Sequence, residues 1–447
     1  MRPLRRQRWS LLLLLMANPA LLPAASRLPE PRMTFLENDE VRIGMDLNLG
    51  GAVTFLESRR RPGNLINSAD LGRQIQMSHY SGPWPFEPEG RKPAPEWAGL
   101  GWNPIQTGDC RFNPSRTLDH RNDGRELYIR CTPMQWPLDN VPGDCTFETW
   151  TTLEGPLVRM RFRCTNQRAD RTFYRPCPQE LPAVYTISRL SRLMSYTGDR
   201  PFSGDALTHV KNDWRKPWPW TRFIATERWA ALVDDTDWGL GVFKDDAGEF
   251  HGGLHGDERS SDPKHGSTAY VAPIHLENFD HNIVYEHRTE LAVGDLATLR
   301  RLFNDRATKG PPVWRFTADR QHWTLHEGQD QGFPWPGSWR VPLKPATRLV
   351  GPIQSWRAES APTVELRLVH RGKPARLWIA WRRLDADAWH ESRRLPLQLK
   401  PAPDEQRIRI RLADSAEYRG LLTGLALEIA EGLPSDTLEL RSIEMVP

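Results

Sequence analysis

Leu157-Val-Arg-Met-Arg-Phe-Arg163 alternates apolar with basic side chains along its length. A period of two puts one set on a buried face and the other in water, the pattern of a β-strand packed on one side. Val41-Arg-Ile-Gly-Met45, Ala52-Val-Thr-Phe-Leu56, Glu126-Leu-Tyr-Ile-Arg130, Trp229-Ala-Ala-Leu-Val233, Leu240-Gly-Val-Phe243 and Ile283-Val-Tyr-Glu-His-Arg-Thr-Glu-Leu291 alternate or run apolar at similar length. With 39 Pro, 32 Gly and 19 Trp in 447 residues, long helices have little room, and short strands joined by shaped loops are expected.

One helix stands out, capped by Asp295 and striped by Leu296, Leu299, Leu302 and Phe303. Lys309-Gly-Pro-Pro312 then reads as a linker. Beyond it, Thr363-Val-Glu-Leu-Arg-Leu-Val369, Arg376-Leu-Trp-Ile-Ala-Trp381, Arg407-Ile-Arg-Ile-Arg-Leu412 and Leu438-Glu-Leu-Arg-Ser-Ile-Glu-Met445 describe sheets with one wet and one packed face. The expected fold class is all-β: a large antiparallel sandwich over residues 30–308, a linker at 309–312, and a smaller β-sandwich over 313–447.

Arg2, Arg5, Arg6 and Arg8 precede an apolar run from Leu11 to Ala17, followed by a Pro and small-residue segment ending at Ala24, Ala25 and Ser26. That order predicts a signal peptide over residues 1–26 and a secreted or periplasmic protein. The run is too short to span a bilayer, and no later segment is long enough, so no membrane insertion is expected. The five cysteines, Cys110, Cys131, Cys145, Cys164 and Cys177, show no C-x-x-C spacing, and their odd number leaves at least one without an intramolecular partner. A formal charge of only +4, with Arg and Glu interspersed, gives no footprint for nucleic acid. Disulfide pairing and oligomeric state stay open.

Residues 46–109 are crowded with polar side chains that a core does not need. Any one of them could cap a turn, but their density beside Trp84, Trp97 and Trp102 favours a polar ligand. A sugar suits that mixture, with hydroxyls around its rim and C–H groups on its faces. Arg73, Gln74, Gln76, Tyr80, Trp102, Asn103, Gln106 and Asp109 are the expected substrate-binding residues, converging on one concave face. Trp214-Arg-Lys-Pro-Trp-Pro-Trp220 either stacks on sugars or plugs a loop.

Gly50-Gly-Ala-Val-Thr-Phe-Leu56 resembles the early turn of galactose-mutarotase-like sandwich domains, and Trp229-Ala-Ala-Leu-Val-Asp-Asp-Thr-Asp-Trp-Gly-Leu-Gly-Val-Phe243 is similar to a central hairpin of the same large sandwiches in carbohydrate-active enzymes. The chain also resembles secreted proteins carrying Asn64-Leu-Ile-Asn67, Gly72-Arg-Gln-Ile-Gln-Met-Ser78, Tyr80-Ser-Gly-Pro83, Trp102-Asn-Pro-Ile-Gln-Thr-Gly-Asp109, Asp144-Cys-Thr-Phe-Glu148 and Gln179-Glu-Leu-Pro-Ala-Val-Tyr185. Over residues 40–300 the resemblance implies a supersandwich and a carbohydrate ligand, but no mechanism. The C-terminal part resembles jelly-roll carbohydrate-binding modules. The mutarotase arrangement of one catalytic Glu with two His cannot be placed on this chain, which argues against epimerase activity.

Cleaving a glycosidic bond usually takes two carboxyl groups. Glu148, flanked by aromatic residues, and Glu180, beside Pro182 with Tyr185 in reach of the same cleft, are the expected catalytic pair. Asp46, Glu227 and Glu277 are further options. His251, His255, His265, His275, His281 and His287 crowd one stretch, with His251-Gly-Gly-Leu-His-Gly256 expected as a loop at the rim of the cleft. They form no H-E-x-x-H, so no metal or cofactor is assigned beyond a structural Ca²⁺ that loop carboxylates could hold.

Three readings follow for an exported carbohydrate-active protein whose partner is a polysaccharide or oligosaccharide. The leading one is a glycoside hydrolase working by carboxylate acid–base catalysis. The second is a polysaccharide lyase on the same fold, using Tyr80, His79, Arg73 and Asn103. The third is a non-catalytic glycan-binding or periplasmic glucan-handling protein. Sugar, linkage and stereochemical course are not written in these residues.

Overall fold

The computed structural model describes residues 28, 30–213 and 220–447. The expected signal peptide and most of the Trp214–Trp220 stretch lie outside the described residues. Among the described residues there are four sheets, and all their strand pairs are antiparallel. Among the described residues no helix is long and apolar enough to cross a membrane.

The first sheet runs in the order Met33–Glu37, Val41–Asp46, Ala52–Ser58, Ile75–Ser78, Cys177–Ile187, Thr268–Glu277, Glu249–His255 and Thr221–Ile224, with the short strands Pro104–Ile105 and Met134–Gln135 added beside the fourth. The second runs Thr208–Val210, Arg192–Ser195, Trp229–Val233, Trp238–Phe243, Val284–Asp295, Leu157–Asn166, Cys145–Glu154, Glu126–Thr132 and Arg116–Asn122. Side-chain alternation decides which faces meet. In Cys145–Glu154, Cys145, Phe147, Thr149 and Thr151 are buried while Thr146, Glu148 and Trp150 point the other way. Phe147, Phe162, Leu181, Val184, Phe250 and Val271 share the core between the sheets. All five cysteines are free thiols, and Cys131, Cys145 and Cys164 belong to that core.

The helix Leu296–Arg306 starts at Asp295, whose carboxylate accepts from Thr298 N at 2.9 Å. Its buried Leu299 and Phe303 cover the far side of the second sheet, against Trp229 and Phe243. After Lys309-Gly-Pro-Pro312 two more sheets form a smaller sandwich. The third runs Val313–Arg315, Thr437–Val446, Thr363–His370 and Gln406–Arg411, with Trp339–Pro342 also paired to Thr437–Val446. The fourth runs Thr324–His326, Arg348–Val350, Leu421–Glu431, Ala375–Arg383 and Arg394–Leu399, with Trp356–Arg357 paired to Leu421–Glu431. Trp323, Trp339, Trp381 and Leu427 lie in its core.

The sandwiches meet at a polar joint. Asn278 acts as a surrogate peptide for the second sandwich, donating to Leu325 O at 3.1 Å and accepting from Leu325 N at 2.7 Å. Arg320 bonds Asp330 at 2.6 Å and reaches back to Asp280 at 2.6 Å.

Candidate functional site

The outer face of the first sheet, turned away from the core, carries a carboxylate set in an aromatic floor. On Cys177–Ile187, Leu181 and Val184 face the core, and Glu180, Ala183 and Tyr185 face out. Tyr270 comes from the neighbouring strand, opposite Tyr185, and the two rings lie 4.7 Å apart. The Trp220 ring lies 4.8 Å from Tyr270 and 6.5 Å from Tyr185, with the His255 ring 6.4 Å beyond. Tyr80 follows the strand Ile75–Ser78 and donates to Glu180 Oε2 at 2.8 Å, while Tyr270 donates to Glu180 Oε1. Two phenols thus fix the carboxylate on both oxygens.

Burial, reinforced by the Glu180 charge, raises the Tyr80, Tyr185 and Tyr270 hydroxyls well above the usual phenol value, so they remain protonated. Arg73 borders the face, pairing with Asp70 at 3.0 Å and donating to Gly266 O at 2.5 Å. The charges of Arg73 and Asp70 are both felt at Tyr185 and at His255. His255 is held below the usual imidazole value, first by burial and then by Arg73. Glu180, Tyr80, Tyr185, Arg73, Asp70, Trp220 and His255 are all partly open to solvent.

The expected acid–base pair is not brought together. Glu148 lies on the second sheet, on the face turned away from the core, where it accepts from Tyr128 at 2.7 Å and pairs with Arg163 at 3.5 Å. It shares no cleft with Glu180, because its position in the Cys145–Glu154 alternation points it to the opposite outside of the sandwich.

Of the eight expected binding residues only Arg73 and Tyr80 reach the Glu180 face. Residues 64–109 are mostly irregular chain laid over the end of the first sheet, and buried backbone without ladder partners must be satisfied by side chains. Gln106 bridges Met77 N and Gly50 O, at 3.1 and 3.0 Å. Asn103 donates to His79 O at 2.8 Å. Gln74 and Gln76 donate to Asp70 O and Leu71 O, at 2.7 and 3.1 Å. Asp109 accepts from the backbone of Arg111, Asn113 and Asn140. Trp102 is fully buried, its indole donating to Asp144 at 2.7 Å. These six are framework.

The remaining carboxylates are also committed. Asp46 caps a short 3₁₀ turn through Asn48 N. Glu227 is buried under Arg300, at 2.7 Å. Glu277 accepts from His322 at 2.6 Å and Tyr285 at 2.9 Å in the joint between sandwiches. His251-Gly-Gly-Leu-His255 is not a loop but part of the strand Glu249–His255, with Phe250 in the core and His251 and His255 less buried on the other face.

Asp246, His275 and His322 place ligand atoms within 4.8 Å of one another. Their two imidazoles lie parallel, 3° apart at 4.1 Å, so the lone pairs run side by side instead of meeting at a point. Lys244, itself wholly buried, already occupies Asp246. The cluster is an ion-paired joint, not a metal centre.

No protein-family model matches the chain, and no curated protein matches it in sequence. Similar solved structures include a galactose mutarotase related enzyme from Lactobacillus acidophilus, 9% identical, covering 59% of this chain and 97% of that one, with a TM-score of 0.39. A 4-alpha-glucanotransferase from Thermococcus litoralis is 13% identical over 61% of this chain and 40% of its own, with a TM-score of 0.30. A CBM4 structure covers 27% of this chain and 86% of its own at 10% identity and a TM-score of 0.19. At these values the likenesses add nothing to the sheets described above.

Proposed function

We propose that this is an exported carbohydrate-active protein that takes its sugar on the outer face of the first sheet, with Glu180 as the working carboxylate of a glycoside hydrolase. The observation that carries the reading is Glu180 itself, gripped by the Tyr80 and Tyr270 hydroxyls on a floor of Tyr185, Tyr270 and Trp220. Aromatic faces stack on the C–H faces of a sugar ring, and a carboxylate held from both sides is already oriented before the sugar arrives. Asp70 borders this face through its ion pair with Arg73 at 3.0 Å and is the candidate for the partner role.

The lyase reading loses support at Tyr80. A phenol pushed well above its usual value, and already donating to Glu180, is a poor base for abstracting a proton next to a uronate carboxyl. A binding-only reading has one point in its favour: Asp70 is tied to Arg73 and to Gly72 N in its own turn.

A panel of polysaccharides, scored for new reducing ends and for absorbance of unsaturated products, separates the three. Reducing ends without unsaturation, lost on the order of a thousandfold in Glu180→Gln with glycan binding retained, are expected for the hydrolase. Unsaturated products would replace it with the lyase. Binding without any product, weakened in Tyr185→Ala, would leave a glycan-binding protein.

A further inference from the structure

Tyr80 lies two residues past the end of the strand Ile75–Ser78, yet its main chain is held on both sides by one side chain. Tyr80 N donates to Gln179 Oε1 at 2.9 Å, and Gln179 Nε2 donates to Tyr80 O at 2.7 Å. Cys177 Sγ donates to the same carbonyl at 2.9 Å. Gln179 thus takes the place of a ladder partner where the strand has ended. It is wholly buried and directly precedes Glu180. One stretch of strand therefore carries both the carboxylate and the clamp on the phenol that grips it.

The hydroxyl is held by a second chain, which runs one way. Asn103 Nδ2 donates to Ser78 Oγ at 3.4 Å, Ser78 Oγ donates to the Tyr80 hydroxyl at 2.9 Å, and Tyr80 donates to Glu180 Oε2 at 2.8 Å. Each hydroxyl has a single proton to give. The Asn103 amide, fixed by its other bond to His79 O at 2.8 Å, presents an N–H to Ser78 and turns the serine proton toward Tyr80. Tyr80, accepting from Ser78, then turns its own proton to Glu180. The reverse order would aim the serine proton at the Asn103 N–H and strip Glu180 of a donor. Ser78 and Asn103 are both buried, so bulk water does not compete for these groups.

We infer that Ser78 is a positioning residue for the Glu180 carboxylate, acting through Tyr80 by fixing the direction in which the phenol donates. Gln179 supports it by keeping the Tyr80 main chain at the reach where that proton meets Glu180 Oε2. This role, which rests on the reading of Glu180 as the working carboxylate, adds how the group is oriented before a sugar arrives. Tyr270 grips the other oxygen from within the strand Thr268–Glu277, its ring supported by Tyr185 and Trp220. Donors already aimed at a reacting carboxylate need no reorganisation during the reaction.

The first test needs no substrate. In whole protein labelled with ¹³C at tyrosine Cζ, the Tyr80 signal is assigned by its loss in Tyr80→Phe. Ser78→Ala, melting as the parent does, is expected to move that signal while Tyr196 and Tyr418 stay in place, and Ser78→Thr, which keeps the hydroxyl, to restore it. A Tyr80 signal unmoved in Ser78→Ala would overturn the role. On a glycan that the parent cleaves, Ser78→Ala is expected to lower kcat about tenfold with KM little changed, the loss of one hydrogen bond felt at a charge. Added to Tyr80→Phe it should take nothing further away, because it acts through that hydroxyl. A loss that adds in full, or a raised KM with kcat intact, would also overturn it. A parent that cleaves nothing on the panel fails the hydrolase reading alone, and the tyrosine spectrum then decides whether Ser78 directs Tyr80.

Discussion

His79 shows how far a single residue's role departs from what its type suggests. It follows Ser78 in a stretch rich in polar residues, yet it is wholly buried, stacked at 5.0 Å on Phe279 with Phe147 and Tyr285 at its edges. Burial lowers its imidazole to about 4, against a hydrogen bond to Gln179 that works the other way. The unfolded chain takes up this proton near pH 6.5 and the folded chain only near 4, so stability is full above 6.5 and falls as pH drops between the two. In that window the fall should approach about 1.4 kcal/mol per pH unit from this residue. His79→Phe, matched to its aromatic cage, should flatten urea-derived stability between pH 6.5 and 4 by about that slope; an unchanged slope would assign the titration elsewhere. The amides nearby explain why site residues were only partly legible. Gln106 looks like a ligand donor until its partners, Gly50 and Met77, are known, and these are distant in sequence. Arg73 and Tyr80 were named for the density of polar side chains around them, and Glu180 and Tyr185 for the strand-like segment they share; the structure brings these four to one face. Tyr270, inside the apolar run Thr268–Glu277, gave no such signal.

Strand alternation told which residues share a face, but not which face looks onto which cleft. Glu148 alternates correctly within Cys145–Glu154, yet only the order of strands in two sheets shows that its outside is the opposite one from Glu180's. Local signals served better where the element makes its own contacts. Asp295 caps Leu296–Arg306 through Thr298 N and its hydroxyl, at 2.9 and 2.8 Å. Asp295→Ala should cost about 1 kcal/mol in denaturant unfolding, and Asp295→Ser much less. The segment around His322 was silent in sequence because its meaning is a contact between sandwiches. Glu277 and Asp246 raise the His322 imidazole to about 10 against its burial. Its contribution is fully present below pH 6.5 and is lost as pH rises through about 10. His322→Gln should therefore lower stability at pH 6 and remove part of the alkaline decline between 7 and 10, measured by urea unfolding; a variant with the parent's alkaline slope would remove His322 from that role.

The two sandwiches have separate hydrophobic cores, and the joint between them is built from side chains scattered along the chain. Arg320, buried, holds Asp330 within its own sandwich and Asp280 across the joint. Asn278 splices onto Leu325 with both halves of its amide. Neither contact is apolar enough to be read from hydropathy, and both are buried enough that breaking them leaves donors unmet. The joint should therefore couple the two cores into one unfolding event, although each sandwich is large enough to hold a core alone. Scanning calorimetry of the parent is expected to show a single transition. Asp280→Ala removes the cross-joint partner while Arg320 keeps Asp330, at a cost of roughly 1–3 kcal/mol. Combined with Asn278→Ala, it should split the transition in two, the second sandwich melting separately from the first. A single transition in the double variant would mean that the contacts left in place, Glu277 to His322 and Arg222 to Asp387 among them, suffice to couple the sandwiches, and the joint around Arg320 would lose its place as the hinge of cooperativity.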